Sequence, residues 1–201
     1  MMKRITVSAL VVLLGFVLAG CGAAAKMIAL KSQSERTDIF KEVTGSEAIP
    51  AGYADVIIRA NIKTHLEGYY IGESKKSAHG KSNYPFLVNL DGQATPWTAK
   101  GEKHVRPAYI DGRTSRDPEA GEGMKYVLEK RLRLAAGSHK VFLGLPEESY
   151  STTTEVTVRE QGLYVLEYTP VYRYKKRPTR IPSFLAGISK YDSSVSEGAV
   201  R

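Results

Sequence analysis

The sequence contains very little cysteine and tryptophan, with Cys21 and Trp97 the single residues of their types among 201. One thiol excludes an intramolecular disulfide framework and a zinc cluster built from cysteines. Histidine is also sparse, and no His-x-His or His-x-x-x-His pair occurs, so a metal site would have to be assembled by the fold. We therefore predict no metal site and expect a solvated ring for the one histidine in a Gly/Ser/Lys-rich segment. The four histidines are His65, His79 (the one in that segment), His104 and His139.

Short catalytic motifs are missing as well. The sequence has no Gly-x-Ser-x-Gly, no Gly-x-Gly-x-x-Gly and no P-loop. Ser138 and His139 are adjacent, but neighbours on a strand point to opposite faces and cannot act on each other. Asp111, Asp117 and Glu119 share one polar segment and could gather a cation, although a solvated acidic loop is the preferred interpretation. We predict no catalytic residues and a protein that is not an enzyme.

The N-terminus, in contrast, carries a clear targeting pattern. Lys3 and Arg4 precede an apolar run over residues 7–18, which is shorter than the ~20 residues of a transmembrane helix. Leu18-Ala19-Gly20-Cys21 follows at once and resembles the lipobox of bacterial lipoproteins. In that family the cysteine sulfur receives a diacylglycerol and the peptide bond before it is cut. The resemblance implies that Cys21 is the lipidated first residue of the mature chain; a plain secretory signal with an unrelated cysteine is the alternative.

The same resemblance implies a location and a first partner. Gly22 stands where inner-membrane lipoproteins of enteric bacteria carry an aspartate, so the likeness favours the outer membrane over the inner membrane. The chain would then face the periplasm or another compartment of the cell envelope, attached through palmitate-type acyl chains. Apart from this covalent lipid on Cys21, we expect no cofactor.

Strand patterns dominate the chain from Ala54 onward. Val56, Ile58, Ala60 and Ile62 alternate with other residues at a period of two. No convincing helix separates the segments, which recur every ten to fifteen residues, so we predict an all-β fold, an antiparallel β-sandwich of immunoglobulin-like or transthyretin-like type. The same alternation recurs over residues 86–90, 126–134, 141–145, 152–158 and 164–174.

The predicted domain organisation has four parts: a signal peptide (1–20), a lipidated tether with an N-terminal arm (21–50), a β-sandwich domain (51–188) and a flexible C-terminal tail (189–201). Within the arm, Ser34–Val43 fits either a short helix with Ser34 as its N-cap or a structured arm. Asp111–Gly123, with three glycines and a proline, is expected to be a long mobile loop. Trp97 fits either a core position or an exposed platform.

A second resemblance covers Tyr126–Tyr174. Leu134–Leu143 reads Leu-x-x-Gly-x-His-x-Val-x-Leu in a predicted strand–turn–strand, followed by a Thr/Val strand and Gly162-Leu163-Tyr164. This pattern resembles small β-sandwich modules of the PEGA kind. Such modules are generally non-catalytic domains of the cell envelope, so the likeness implies a fold more than a function.

One basic cluster stands out near the C-terminus. Cations and tyrosines alternate there without an acid, which suits a surface for anionic lipid, anionic glycan or an acidic protein. Nucleic acid is excluded as a partner by the envelope address, and a basic edge strand that resists pairing is the alternative interpretation. The candidate binding residues are Tyr172, Arg173, Tyr174, Lys175, Lys176, Arg177 and Arg180.

Together these patterns favour a lipid-anchored, non-enzymatic protein of the cell envelope. Its expected role is structural or accessory: it recruits or supports another envelope component, so the partners are the membrane and an envelope protein complex. The first alternative is a glycan- or peptidoglycan-binding module that uses the basic tyrosine-rich strand. The second is an envelope hydrolase, which requires a pocket where histidine and acid side chains converge.

Overall fold

The computed structural model describes residues 23–45, 47–173 and 182–198. The described chain opens with a helix over residues 23–31, here called α1, and continues almost entirely as strands. The prediction of an all-β fold is therefore confirmed. The strands are β1 (Phe40–Glu42), β2 (Tyr53–Thr64), β3 (Asn83–Leu90), β4 (Gln93–Arg106), β5 (Tyr109–Ile110), β6 (Arg113–Thr114), β7 (Gly121–Ala135), β8 (Gly137–Leu145), β9 (Tyr150–Val158), β10 (Leu163–Tyr172) and β11 (Ile188–Glu197), with a 3₁₀ turn, η1 (Ser183–Ala186), before β11.

One mixed sheet contains all strands except the small β5–β6 hairpin. Its order is β11-β10-β2-β7-β4-β3-β8-β9, and β1 adds to β7. The finer expectation of a purely antiparallel arrangement is not met, because β10 runs parallel to β2 from Leu163↔Asp55 to Tyr168↔Ala60. The sheet also curls until its outer strands meet: Tyr191 of β11 donates its N–H to the Tyr150 hydroxyl at the start of β9, at 3.0 Å. One nearly closed sheet thus encloses the core.

The core lies on the concave face, where the period-two alternation places its apolar residues. Alternate residues of β2 from Ala54 to Ile62 are at most 1% exposed. Most of the inward-facing residues predicted from the other alternating segments are buried too, which confirms those strands. They include Phe86, Val88, Leu90, Tyr126, Leu128, Leu132, Leu134, Val141, Leu143, Leu145, Val156, Val158, Tyr164, Leu166 and Tyr168.

The sequence allows either a short helix or a structured arm over residues 34–43, and the structure shows an extended arm. Its backbone forms hydrogen bonds with the start of β4 instead of the internal hydrogen bonds of a helix. The Gln93 side-chain oxygen accepts the N–H groups of Ile39 and Phe40 at 2.8 and 3.1 Å. Residues 40–42 then pair with β7 as β1. The helix instead occupies residues 23–31, where Ile28 packs against Leu87 and Phe142 on the outer face of the sheet.

Two expectations about irregular segments are corrected. Residues 189–197, assigned to a flexible tail, belong to β11, which pairs along the whole of β10. The segment has few apolar residues, yet its Tyr191 enters the core, as does Ile188 directly before it. The expected long loop over Asp111–Gly123 is instead divided among the β5–β6 hairpin, a short turn and the start of β7.

Of the two predicted positions for Trp97, core or exposed platform, the structure shows the core. Its ring is 6% exposed, and its indole N–H donates to the Glu42 carboxylate at 2.7 Å.

Among the residues that the structure describes, none belongs to a helix with the length and apolar character needed to cross a bilayer.

A buried carboxylate ties β2 to β7 near one end of their pairing. Asp55 is fully buried, and its two oxygens accept from Arg131 and Arg133 at 2.7–2.8 Å. Both guanidinium groups keep partial contact with solvent. The carboxylate is therefore the single buried charge of the group, and its two partners offset the cost of burying it.

We expect Asp55→Asn to lower the free energy of unfolding by about 1–3 kcal/mol, because the charge-assisted hydrogen bonds of Arg131 and Arg133 are lost and the asparagine amide group cannot accept from them. Urea unfolding of the purified chain measures the change. Glu129→Gln is the matched control: Glu129 pairs with Arg59 in solvent, so its loss should cost under about 1 kcal/mol. Equal unfolding midpoints for the two variants would contradict the structural role of Asp55.

Candidate functional site

A cleft of about 450 Å³ opens where β2 ends. Its walls come from the last residues of β2, the loop over residues 65–82, Glu147 and Glu148 after β8, the end of β10, and η1. The Tyr70 hydroxyl donates to the Leu185 carbonyl at 3.1 Å and joins the loop to η1. Elements far apart in sequence therefore meet around this cleft.

Two histidines and a glutamate converge in its wall. His65 follows the last residue of β2, whereas Glu73 and His79 lie in the 65–82 loop. The His65 Nε2 atom is 3.4 Å from Glu73 Oε1, and the His79 Nδ1 atom is 3.3 Å from the same oxygen. One ligand atom from each residue lies within 4.8 Å of the other two. Two imidazoles and a carboxylate in this arrangement can hold a metal ion.

The outward-facing ring nitrogens both contact acceptors. The His65 Nδ1–H donates to the Leu66 carbonyl at 2.9 Å, and the His79 Nε2–H donates to Glu148 Oε1 at 2.8 Å. Carbonyl and carboxylate oxygens only accept, so these two nitrogens carry hydrogens. The other nitrogen of each ring is the one that faces Glu73.

Glycine at position 80 allows the two histidines to come together. Gly80 has φ +72°, and a Cβ there would lie 2.0 Å from the Glu67 backbone nitrogen, so no other residue fits without a shift. Its N–H donates to the Thr64 hydroxyl at 3.2 Å, which ties the loop to the end of β2. As a result the rings of His65 and His79 stand edge to face, with centroids 5.1 Å apart.

The ionic environment favours charge on the His79–Glu148 pair. Burial by itself lowers the pKa of His79, but the hydrogen bond to Glu148 and its negative charge, helped by Glu73, outweigh burial and raise the pKa. Burial raises the pKa of Glu148, but the hydrogen bond and charge of His79 outweigh it and lower the pKa. Tyr84 adds a third group, because its hydroxyl donates to Glu148 Oε1 at 3.0 Å. The expectation of a solvated His79 is wrong.

The predicted basic surface is only partly within the described residues, and Tyr172 does not belong to a surface. Tyr172 is 6% exposed; its hydroxyl accepts the Lys63 N–H at 2.8 Å and donates to Glu119 at 3.2 Å. Burial raises the pKa of this phenol. Arg173 is exposed and lines the cleft. The lipidation candidate and the rest of the binding set lie outside the described residues: Cys21, Tyr174, Lys175, Lys176, Arg177 and Arg180.

Two of the three acidic residues considered as cation ligands pair with protein cations. Glu119 is buried and accepts from the Lys125 ammonium at 2.6 Å. Asp117 pairs with Arg106, and Asp111 is an exposed residue in the turn between β5 and β6. The expected solvated acidic loop is therefore wrong for Glu119, whose carboxylate helps to hold Tyr172 in place.

No protein-family model matches the chain, and a search of curated protein sequences finds no match.

We expect Tyr172→Phe to lower the free energy of unfolding by about 1–3 kcal/mol, because it leaves the buried Lys63 N–H without an acceptor. Urea unfolding of the purified chain measures this. Tyr53→Phe is the control, because Tyr53 is 46% exposed and its change should stay within about 0.5 kcal/mol. An unchanged midpoint for Tyr172→Phe would return Tyr172 to the surface interpretation.

Proposed function

We propose that this chain is a lipid-anchored, non-enzymatic protein of the bacterial cell envelope with a structural or accessory role. The observation that carries the proposal is Leu18-Ala19-Gly20-Cys21 directly after a short apolar run, with the sole cysteine of the chain at its end. Two or three acyl chains would anchor the protein stably, whereas one would not. The outer membrane is the favoured site, because Gly22 is not the aspartate associated with inner-membrane retention.

The position of α1 supports a short connection to that anchor. Only Gly22 separates Cys21 from residue 23, where the described helix is already present. Ile28 of α1 packs against the sheet, and the Asn89 side chain donates to the Lys31 carbonyl at 2.8 Å. A lipid on Cys21 would therefore hold the sheet close to the membrane instead of at the end of a long tether. Such a placement suits a protein that supports a neighbouring envelope component.

Exposed apolar side chains support a recruiting role. Tyr69, Tyr70 and Ile71 protrude from the cleft loop, and Ile71 is fully exposed. Tyr109 and Ile110 protrude from the β5–β6 hairpin and are each 56% exposed. Tyrosine and large apolar side chains are the residue types on which protein partners commonly anchor.

The envelope hydrolase remains the second candidate because of one specific observation. Histidine and acid side chains do converge in a cleft, as a hydrolase requires, with His79 bonded to Glu148 at 2.8 Å. The glycan-binding alternative has less support, because Tyr172 is part of the core. Without Tyr172, the predicted glycan-binding surface starts at Arg173.

We expect Cys21→Ser to yield a protein without acyl mass that is uncleaved or released from the membrane, because serine offers no sulfur for the diacylglycerol. Intact-protein mass spectrometry and membrane fractionation of cells measure both effects. Gly22→Ala is the matched control and should be lipidated like the wild type. If the Cys21→Ser protein is still processed and acylated, the lipobox assignment is wrong.

We expect crosslinking in intact cells to recover a stoichiometric protein partner with the lipidated chain, identified by mass spectrometry. Ile71→Thr should lower the yield of that partner, because it removes an exposed apolar contact. Val127→Thr is the matched control, since Val127 is also exposed (50%) but lies on β7. Recovery of glycan or lipid alone would favour the binding-module alternative over the accessory role.

A further inference from the structure

We propose that His65, Glu73 and His79 bind one divalent transition-metal ion, with Zn²⁺ the metal that this ligand set fits best. The inference goes beyond the lipid anchor and the accessory role, and stands on the geometry of the cleft alone. Neither the sequence spacing nor the proposed function requires a metal here.

The distances between the ligand atoms fit a shared ion. Zinc binds imidazole nitrogen and carboxylate oxygen at about 2.0–2.2 Å in tetrahedral geometry. Neighbouring corners of such a tetrahedron are roughly 3.3–3.6 Å apart, as follows from those bond lengths. Glu73 Oε1 is 3.4 Å from His65 Nε2 and 3.3 Å from His79 Nδ1, and no pair among the three ligand atoms exceeds 4.8 Å. The side chains are therefore already close to a coordinating arrangement.

The same distances are too long for strong hydrogen bonds. A charge-assisted N–H···O bond is about 2.7–2.9 Å long, and the His79–Glu148 contact at 2.8 Å falls in that range. The two contacts to Glu73 do not, although Glu73 is the carboxylate that both rings share. With the hydrogens on the outer ring nitrogens, the inner nitrogens of the neutral rings have none to donate to Glu73. The separations of 3.3–3.4 Å between Glu73 and both rings fit ligand atoms that share an ion.

The outer contacts set both rings for metal binding. Histidine ligands of metals usually donate their second N–H to a carboxylate or carbonyl, which fixes the tautomer and the ring orientation. His65 donates to the Leu66 carbonyl and His79 to Glu148, so each imidazole in its neutral form directs a lone pair towards Glu73. The Ser77 hydroxyl donates to Glu73 Oε1 at 2.7 Å and orients that ligand. All three ligands thus have supporting contacts.

The ligand types and the cleft indicate the class of metal and the kind of site. Nitrogen donors favour Zn²⁺ and similar transition metals, whereas Mg²⁺ and Ca²⁺ prefer oxygen ligands in larger number. Three protein ligands leave a coordination position for water or an added ligand, as in open zinc sites. The cleft of about 450 Å³ that these residues line has room for it.

The test uses the full chain without a histidine tag, purified in detergent and freed of metal with a chelator. After loading with Zn²⁺ or Co²⁺ and removal of excess, elemental analysis should find one ion per chain. Excess Mg²⁺ or Ca²⁺ should not displace it. The visible spectrum of the Co²⁺ form should show nitrogen and oxygen coordination without the near-ultraviolet charge-transfer band of a thiolate.

Variants assign the ion to the cluster. His65→Gln and Glu73→Gln should lose stoichiometric binding, and Glu148→Gln should retain it with an affinity about 10–100-fold lower, because Glu148 only orients His79. His139→Gln is the matched control and should bind like the wild type. His139 also contacts a carboxylate and a carbonyl, Asp91 at 2.7 Å and the Ala135 oxygen at 2.9 Å, but is outside the cluster. Circular dichroism verifies that each variant is folded.

Three results would overturn the proposal. If the wild-type chain binds neither Zn²⁺ nor Co²⁺ stoichiometrically, the metal site is disproved, whatever the variants do. Folded His65→Gln and Glu73→Gln proteins that bind as well as the wild type would place the ion elsewhere. A thiolate band in the Co²⁺ spectrum would make Cys21 the ligand. The first two results do not depend on whether the chain is lipidated, so failure here is distinct from failure of the envelope proposal; a thiolate band would in addition require a Cys21 that carries no lipid.

Discussion

The pairing of β2 with β7 is the constraint on which the rest of the structure depends. It runs over twelve residue pairs, from Tyr53↔Ala135 to Thr64↔Met124. A slip of one residue would turn the apolar face of β2 outward, so burial of that face fixes the register. Asp55, opposite Arg133, reinforces the register near one end. At the other end the same register places His65, the residue after β2, at the cleft.

The cleft end of this ladder also requires close approach of the backbones. A Cβ on Gly123 of β7 would lie 2.5 Å from the Thr64 carbonyl, so glycine permits the strands to come together there. Tyr126, three residues further along β7, donates its hydroxyl to the Lys81 carbonyl at 2.8 Å. The 65–82 loop is thus held from both β2 and β7, and its histidines occupy defined positions although the loop has no regular structure.

Sequence patterns predict the individual strands well and their partners poorly. Alternation identifies the buried face of β2 or β8 because it depends only on neighbours along the chain. The parallel β2–β10 pair joins residues about a hundred positions apart, which no local pattern reveals. The edge strand β11 has too few apolar side chains to show a clear alternation. Tyr172 shows the limit within one strand: its basic neighbours suggest a surface, yet alternation turns it inward and Arg173 outward. The His65–Glu73–His79 cluster has no sequence motif, because the fold alone assembles it.

The helix next to the proposed lipid anchor and the proposed metal site both contact β3 and β8. The helix nearest Cys21 packs on Leu87 of β3 and Phe142 of β8. Tyr84, three residues before Leu87, donates to Glu148, which follows β8 and orients His79. Three residues of strand span only about 10 Å, so the surface that receives the N-terminal helix and the wall of the cleft belong to the same short stretch of sheet. The two proposed sites, the lipid on Cys21 and the metal ion in the cleft, would therefore be connected through the same pair of neighbouring strands, β3 and β8.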